Sequence, residues 1–377
     1  MNGTFDVAVV GLGAIGSAVA YHLARRGRRV LGLDRFTPPH VFGSSHGQTR
    51  VIRQAYYEHP GYVPMAQRAF ELWRALERDV GRRLLDETGF LMIGAPESGL
   101  ISGALRSAAV HGLPYTTQTA AELRERYPAL RVPEGAAGVW DPRAGMLFPE
   151  ACVQSHLEQA ARSGATLRLD EPVLTWEPNG DGVSIVTAQG SYLAGQLAVA
   201  AGPWAAKLLP GLRLPLTVER QVLYWFEPRA RRETFDPAQF PLWVWEYAAG
   251  AMLYAFPELG EGVKIARHHG GETTDPDTVD REARPPEVAE MRALIRDYLP
   301  DLDGRLLRSS TCMYTNTPDQ HFLIDFDPEH SQVLVLSPCS GHGFKFAGVI
   351  GEIAAGLLVD GRSPFDLSQF RLARLRA

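Results

Sequence analysis

Val7-Ala8-Val9-Val10-Gly11-Leu12-Gly13-Ala14-Ile15-Gly16-Ser17 opens a stretch that runs on to Gly32-Leu33-Asp34, and its reading decides the fold. Phe5 to Val10 is a short, nearly continuous apolar run, the pattern of a strand buried on both faces. Gly11, Gly13 and Gly16 then form a Gly-x-Gly-x-x-Gly turn. Ser17 to Arg26 reads as a helix closed by Gly27, and Arg29 to Asp34 as a second strand. A bare glycine pattern is a weak signal in a chain with 37 glycines. Here it follows a strand, opens a helix and is answered by an acid 18 residues after Gly16. Gly11 permits the tight turn, Gly13 lets the backbone approach a pyrophosphate, and Gly16 lets helix and strand pack closely. The helix N-terminus offers N–H groups and partial positive charge to phosphates. Asp34 can accept from a ribose hydroxyl and would repel a 2′-phosphate. The fingerprint does not separate NAD from FAD; its place at the extreme N-terminus leans toward FAD.

Further along, Val63, Ala66, Ala69, Phe70, Trp73, Leu76 and Val80 recur at helical spacing, which predicts a helix over 62–85. Another is expected over 149–163, followed by short strands over 166–169, 173–177 and 183–188. Asn179-Gly180-Asp181-Gly182 has hairpin chemistry. Gln196 to Ala201 reads as a further strand. Between about 212 and 308, prolines, aromatics and alternating strands dominate, with one helix over 287–299. From Ser310 the chain is expected to return to the first domain, with a buried strand over 333–336 and a loop-to-helix segment over 341–359. The fold class is therefore α/β. A Rossmann-like domain is built from 1–85, 146–211 and 309–377. An α+β substrate domain with a mainly antiparallel sheet is built from 86–145 and 212–308.

The 377 residues suit about two domains. With 45% apolar and 21% charged residues, disorder, collagen and coiled coil are excluded as the main architecture. A net charge of −5 leaves no general footprint for nucleic acid. Cys152, Cys312 and Cys339 make neither a disulfide framework nor a zinc spacing, so no metal is expected and a reducing cytoplasm is the natural compartment. The uncharged stretch from Val7 to Ala24 contains the glycine turn and His22 and follows Asp6, so it reads as strand, turn and helix rather than an export or membrane segment.

Three stretches carry a resemblance. They are Gly43-Ser44-Ser45-His46-Gly47-Gln48-Thr49-Arg50-Val51-Ile52-Arg53, Thr311-Cys312-Met313-Tyr314-Thr315 and Ser340-Gly341-His342-Gly343-Phe344-Lys345-Phe346. With the N-terminal fingerprint they resemble the monomeric sarcosine oxidase and N-methyltryptophan oxidase family of flavoproteins, over essentially the whole chain. The resemblance implies FAD held through a thioether from Cys312, and oxidation of a secondary amino acid by oxygen. The imine formed would hydrolyse, and hydrogen peroxide would be released. It further implies a monomer that takes a small amino-acid substrate. Arg53 and Lys345 are the cations assigned to the substrate carboxylate: one offers a planar fork, the other a point charge. Thr49 and Arg50 are expected to line the flavin, with Tyr56 as a neighbour. The amides of Gly341 and Gly343 would face the flavin's pyrimidine edge, with His342 either a donor near that edge or a histidine that only caps the helix. Lys264 matches the lysine that helps oxygen accept an electron, since a fixed positive charge stabilises a nascent anion. Tyr254 and His268 would shape the amine pocket.

Departures from the family pattern stand at Gln48, Ser45 and Ser337-Pro338-Cys339. Trp243, Trp245 and Tyr247 alternate and so share one strand face, as core or as pocket wall. Oxidation of pipecolate- or proline-type cyclic amino acids, or of fructosyl amino acids, stays open beside N-methyl substrates. Outside that class, an NAD-dependent dehydrogenase shares the fingerprint without needing Cys312, and so does a non-catalytic nucleotide-binding module.

Overall fold

The computed structural model describes residues 3–375. Thr4–Val10 is the centre of the first sheet because its Val7-Ala8-Val9-Val10 half is buried on both faces. It pairs in parallel with Val30–Leu33 on one side and Gly190–Val199 on the other. Thr166–Arg168 and Val333–Ser337 extend the parallel sheet outward. Val173–Asn179 and Gly182–Thr187 add an antiparallel edge, closed at the Asn179–Gly182 pair as the turn chemistry predicts. The helices Ala14–Arg25, Pro149–Arg162 and Ala347–Asp360 bury their apolar residues in a single core with this sheet. The Rossmann-like half expected from the first 34 residues is present.

The second sheet runs from Leu306–Asn316 through Thr217–Phe226, Val263–His268, Ala251–Phe256 and Trp243–Ala248 to Phe90–Gly94, Ala137–Asp141 and Thr116–Thr119. Its pairings are antiparallel except between Trp243–Ala248 and Phe90–Gly94. The fold is thus α/β with a mainly antiparallel second sheet.

Two expectations need correction. The division placed at 308/309 falls inside Leu306–Asn316, which pairs with Thr217–Phe226 from end to end. Cys312 therefore belongs to the second sheet. The divisions at 85/86 and 145/146 likewise cut Leu85–Asp86 and Gly145–Leu147, which form a three-stranded sheet with Arg50–Ile52. The helix expected over 62–85 spans only Val63–Val80, because Gly81 takes a left-handed conformation (φ 63°) and caps it.

Trp243 and Trp245 are core. They pack with Met291 and Ile295 of the helix Pro285–Tyr298. Val244, on the opposite strand face, lines the large cavity between the sheets.

Candidate active site

One continuous cavity runs from Gly11, Gly13 and Asp34 at the first sheet to Arg53, Tyr254, His268 and Lys345 at the second, past Cys312 and Lys264. The cofactor end follows from the opening motif. A Cβ on Gly16 would sit 1.7 Å from Gly11 O, so this residue fixes the approach of helix to strand. A Cβ on Gly13 would meet only Ser45 Oγ, at 3.2 Å, and would otherwise point toward the cavity. Gly13 is the N-cap of Ala14–Arg25 and brings no side-chain acceptor, and the first turn holds no acid. The amide end of this helix thus faces the cavity through Gly13, Ala14 and Ile15. Asp34 stands at the end of Val30–Leu33 with its carboxylate anchored: Oδ2 accepts from Leu12 N at 2.7 Å and Oδ1 from Phe36 N at 2.8 Å.

In the middle, Arg50 donates from one guanidinium nitrogen to Thr49 O (2.9 Å) and from the other to Ser44 O (3.1 Å) and Cys312 Sγ (3.6 Å). Cys312 is 2% exposed. Cys339 also lines the cavity, but burial pushes its thiol up to about 11. Cys152 lies elsewhere, buried against Leu84 O.

Lys264 comes from Val263–His268 and is 1% exposed. Its Nζ donates to Gly47 O and Thr49 O at 2.7 Å each and to Thr49 Oγ1 at 3.1 Å. Burial pulls its pKa well below the ordinary lysine value and Arg50 repels the charge, while Glu150 and Cys312 favour it. Three acceptors for three N–H donors hold the ammonium in one place.

At the far end, the Arg53 guanidinium is clamped between Tyr56 and Tyr57, 4.0 and 4.2 Å from their ring centroids. It donates to both oxygens of Glu58 at 2.6 Å. Burial pushes the Glu58 carboxyl up, but Arg53 outweighs it and holds the group at about 2. Lys345 Nζ donates to His342 O at 2.8 Å and lies 5.4 Å from the same Tyr56 ring. Burial and the repulsion of Arg53 pull Lys345 well below the ordinary lysine value. Among the described residues, two buried basic side chains share one internal carboxylate, which is taken up by Arg53. His268 Nδ1 lies 3.2 Å from Tyr314 Oη, and Tyr254, beside them, is pushed up to about 12 by burial.

His342 requires a correction. Gln320 O, 3.0 Å from Nε2, can only accept, so Nε2 carries the proton. Nδ1 then accepts from Tyr56 Oη at 2.6 Å. Both ring nitrogens are engaged within the protein, and burial lowers the pKa to about 3. The ring is therefore no donor toward the cavity. It holds Tyr56 in place under Arg53.

The chain matches the family model described as FAD dependent oxidoreductase over residues 6–357. It belongs to that family. It is 44% identical over 381 residues to a monomeric sarcosine oxidase of Streptomyces avermitilis, covering 100% of this chain and 99% of the relative. It is 35% identical over 378 residues to an N-methyl-L-tryptophan oxidase of Yersinia pestis, covering 99% and 100%. Among solved structures, NikD, an unusual amino acid oxidase, superposes with a TM-score of 0.86 at 28% identity, covering 98% of this chain and 97% of that one.

The residues of this FAD dependent oxidoreductase fit the dinucleotide. The helix end bounded by Gly13 suits the pyrophosphate, Asp34 has further lone pairs for a ribose, and the cavity continues unbroken to Arg50 and Cys312. Arg53, Lys345, Tyr254, His268 and Lys264 all line that cavity. Sequence reasoning missed Glu58, which pairs Arg53, and Glu150, which reaches the loop around Lys264. Glu58 stands five residues after Arg53 in the same segment, a local signal that was there to be read. Glu150 looks like any first-turn acid of a helix.

Proposed function

We propose that this protein is a flavoprotein oxidase of secondary amino acids, with sarcosine or another N-methyl amino acid as substrate. The single observation that carries the reading is the pair of basic side chains at the end of the cavity. Arg53 and Lys345 lie against one tyrosine ring, and among the described residues only Glu58 pairs with them, so a substrate carboxylate would find a fork from Arg53 and would hold Lys345 in its charged form. FAD held along this cavity would supply a two-electron oxidation of the substrate's C–N unit with oxygen as the final acceptor, the net products being amine, aldehyde and hydrogen peroxide. Arg53 and Lys345 would orient the substrate by its carboxylate, leaving its amine toward Tyr254 and His268. Lys264 would hold a positive charge where oxygen gains negative charge. Cys312 would hold the flavin through a thioether. We further propose a cytoplasmic monomer, on the sparse cysteines and the likeness to relatives named monomeric sarcosine oxidase.

The test is a panel of secondary amino acids with peroxide detection: sarcosine, larger N-methyl amino acids, pipecolate, proline and a fructosyl amino acid. Turnover of N-methyl amino acids above the others supports the reading. Turnover confined to cyclic or fructosyl substrates overturns the assigned substrate, and an absorption spectrum without flavin bands overturns the whole.

A further inference from the structure

Glu150 is the second residue of the helix Pro149–Arg162 and does not line the cavity. Its Oε1 accepts from two consecutive amides, Gly47 N at 2.7 Å and Gln48 N at 3.1 Å. Those two residues have φ of 102° and 71°. An L residue such as Gln48 takes that conformation only where its surroundings hold it. The consequence lies on the other side of the loop. With Gly47 and Gln48 left-handed, Thr49 N turns back onto Gly47 O, and the Gly47 and Thr49 carbonyls both reach Lys264 Nζ at 2.7 Å. A second anchor holds the same loop: Gln48 Oε1 accepts from Trp225 Nε1 at 2.8 Å, beneath Lys264. The departure at Gln48 noted in the sequence thus has a partner.

We propose that Glu150 is the positioning residue for Lys264. Its carboxylate fixes the left-handed backbone of Gly47 and Gln48, and that backbone fixes the ammonium beside the cavity. Glu150 touches neither substrate nor cofactor site and acts through the loop. Arg50, Arg308 and Cys312 also bear on Lys264. None of these three holds the amides of Gly47 and Gln48. The kinetic consequence rests on the oxygen role proposed above for Lys264; the placement of the ammonium does not.

The experiment uses the holoenzyme. A crystal structure of E150A should show the Gly47 and Thr49 carbonyls withdrawn from Lys264 Nζ. Stopped-flow mixing of reduced E150A with oxygen should show reoxidation slowed about tenfold, with anaerobic reduction by substrate changed by no more than about twofold. E150Q keeps an acceptor oxygen but loses the charge that favours the ammonium, so it should restore the placement, and the reoxidation rate once the pH is low enough to keep Lys264 protonated. E150D keeps the charge but draws it back by one methylene, so it should behave as E150A does; it serves where E150A does not fold. In the K264M background E150A should add no further slowing. The proposal is overturned if Lys264 stays held in E150A or E150D, or if E150A slows K264M by the same factor as the parent. K264M that reoxidises at the parent rate would instead remove the oxygen role of the lysine, and the E150A structure alone would then decide the placement.

Discussion

The guanidinium of Arg50 lies 3.6 Å from the sulfur of Cys312, and Arg50 donates to the backbone on either side of the same loop, at Ser44 and Thr49. Burial pushes the Cys339 thiol up to about 11. Two cysteines line the cavity, and only one of them faces an arginine within reach of its sulfur.

Cys312→Ser should release the flavin. After acid precipitation the parent pellet should be yellow and the variant pellet colourless, with the colour in the supernatant. Cys339→Ser should keep a yellow pellet. Flavin found free in the parent supernatant would remove the thioether.

Arg53→Met should weaken binding of carboxylate inhibitors by about 2–5 kcal/mol, the scale for losing one partner of a buried charge pair. Amides and esters of the substrate should bind the parent about as poorly. Titration of the flavin spectrum with an inhibitor measures both, and an unchanged affinity in the variant would remove Arg53 from the site.

Glu58→Gln should alter the acid limb of stability. The carboxyl is held at about 2 against an ordinary 4.5. A lowered pKa contributes stability that is present above the ordinary value and lost as pH falls through the lowered one. The parent should therefore exceed the variant in urea resistance at neutral pH, and the gap should close between pH 4.5 and about 2. A gap that stays constant across that range would mean the Arg53 pair does not stabilise the fold. Carboxylate inhibitors should bind the variant more tightly, since two cations are then left without an internal partner.

Lys264→Met should slow reoxidation by orders of magnitude and reduction much less, because a fixed charge in a dry site is worth several kcal/mol. On the role proposed for Lys264 the cation is the active form, and burial lowers its pKa. Reoxidation should thus decline as pH rises, with a midpoint below the ordinary lysine range. A pH-independent rate in the parent would contradict a titrating lysine.

Gly13→Ala and Gly16→Ala should fail differently. A methyl at 16 would sit 1.7 Å from Gly11 O, so the chain should not fold to a soluble protein. A methyl at 13 meets only Ser45 Oγ, at 3.2 Å, so the protein should fold yet bind FAD weakly. Circular dichroism separates folding from flavin content.

The first sheet and its helix were legible because local pattern and burial agree there. The helix over Pro149–Arg162 was predicted to within one residue, since Pro149 starts it and its apolar face is regular. The helix from Val63 was overrun because Leu84 falls four residues after Val80 and so continues the helical spacing, but Leu84 and Leu85 are buried beside and in a short strand rather than on the helix. Strand pairing was less legible. Nothing local in Leu306–Asn316 says that it lies against Thr217–Phe226, some ninety residues earlier. Glu150 was missed for the same reason, because its role depends on the loop that the fold brings opposite it, whereas Glu58 lies within local reach of Arg53.

The strand that carries Cys312 belongs to one sheet, and the Gly11–Gly16 turn to the other. A flavin anchored at Cys312 would therefore work as a tether across the seam between them. Should the Rossmann half open locally, the adenosine end would let go while the flavin end stayed tied. Recapture would then be intramolecular, at an effective concentration set by the length of the dinucleotide rather than by free cofactor in the cell. Such a protein would keep its cofactor through excursions that would empty a site relying on phosphate contacts alone.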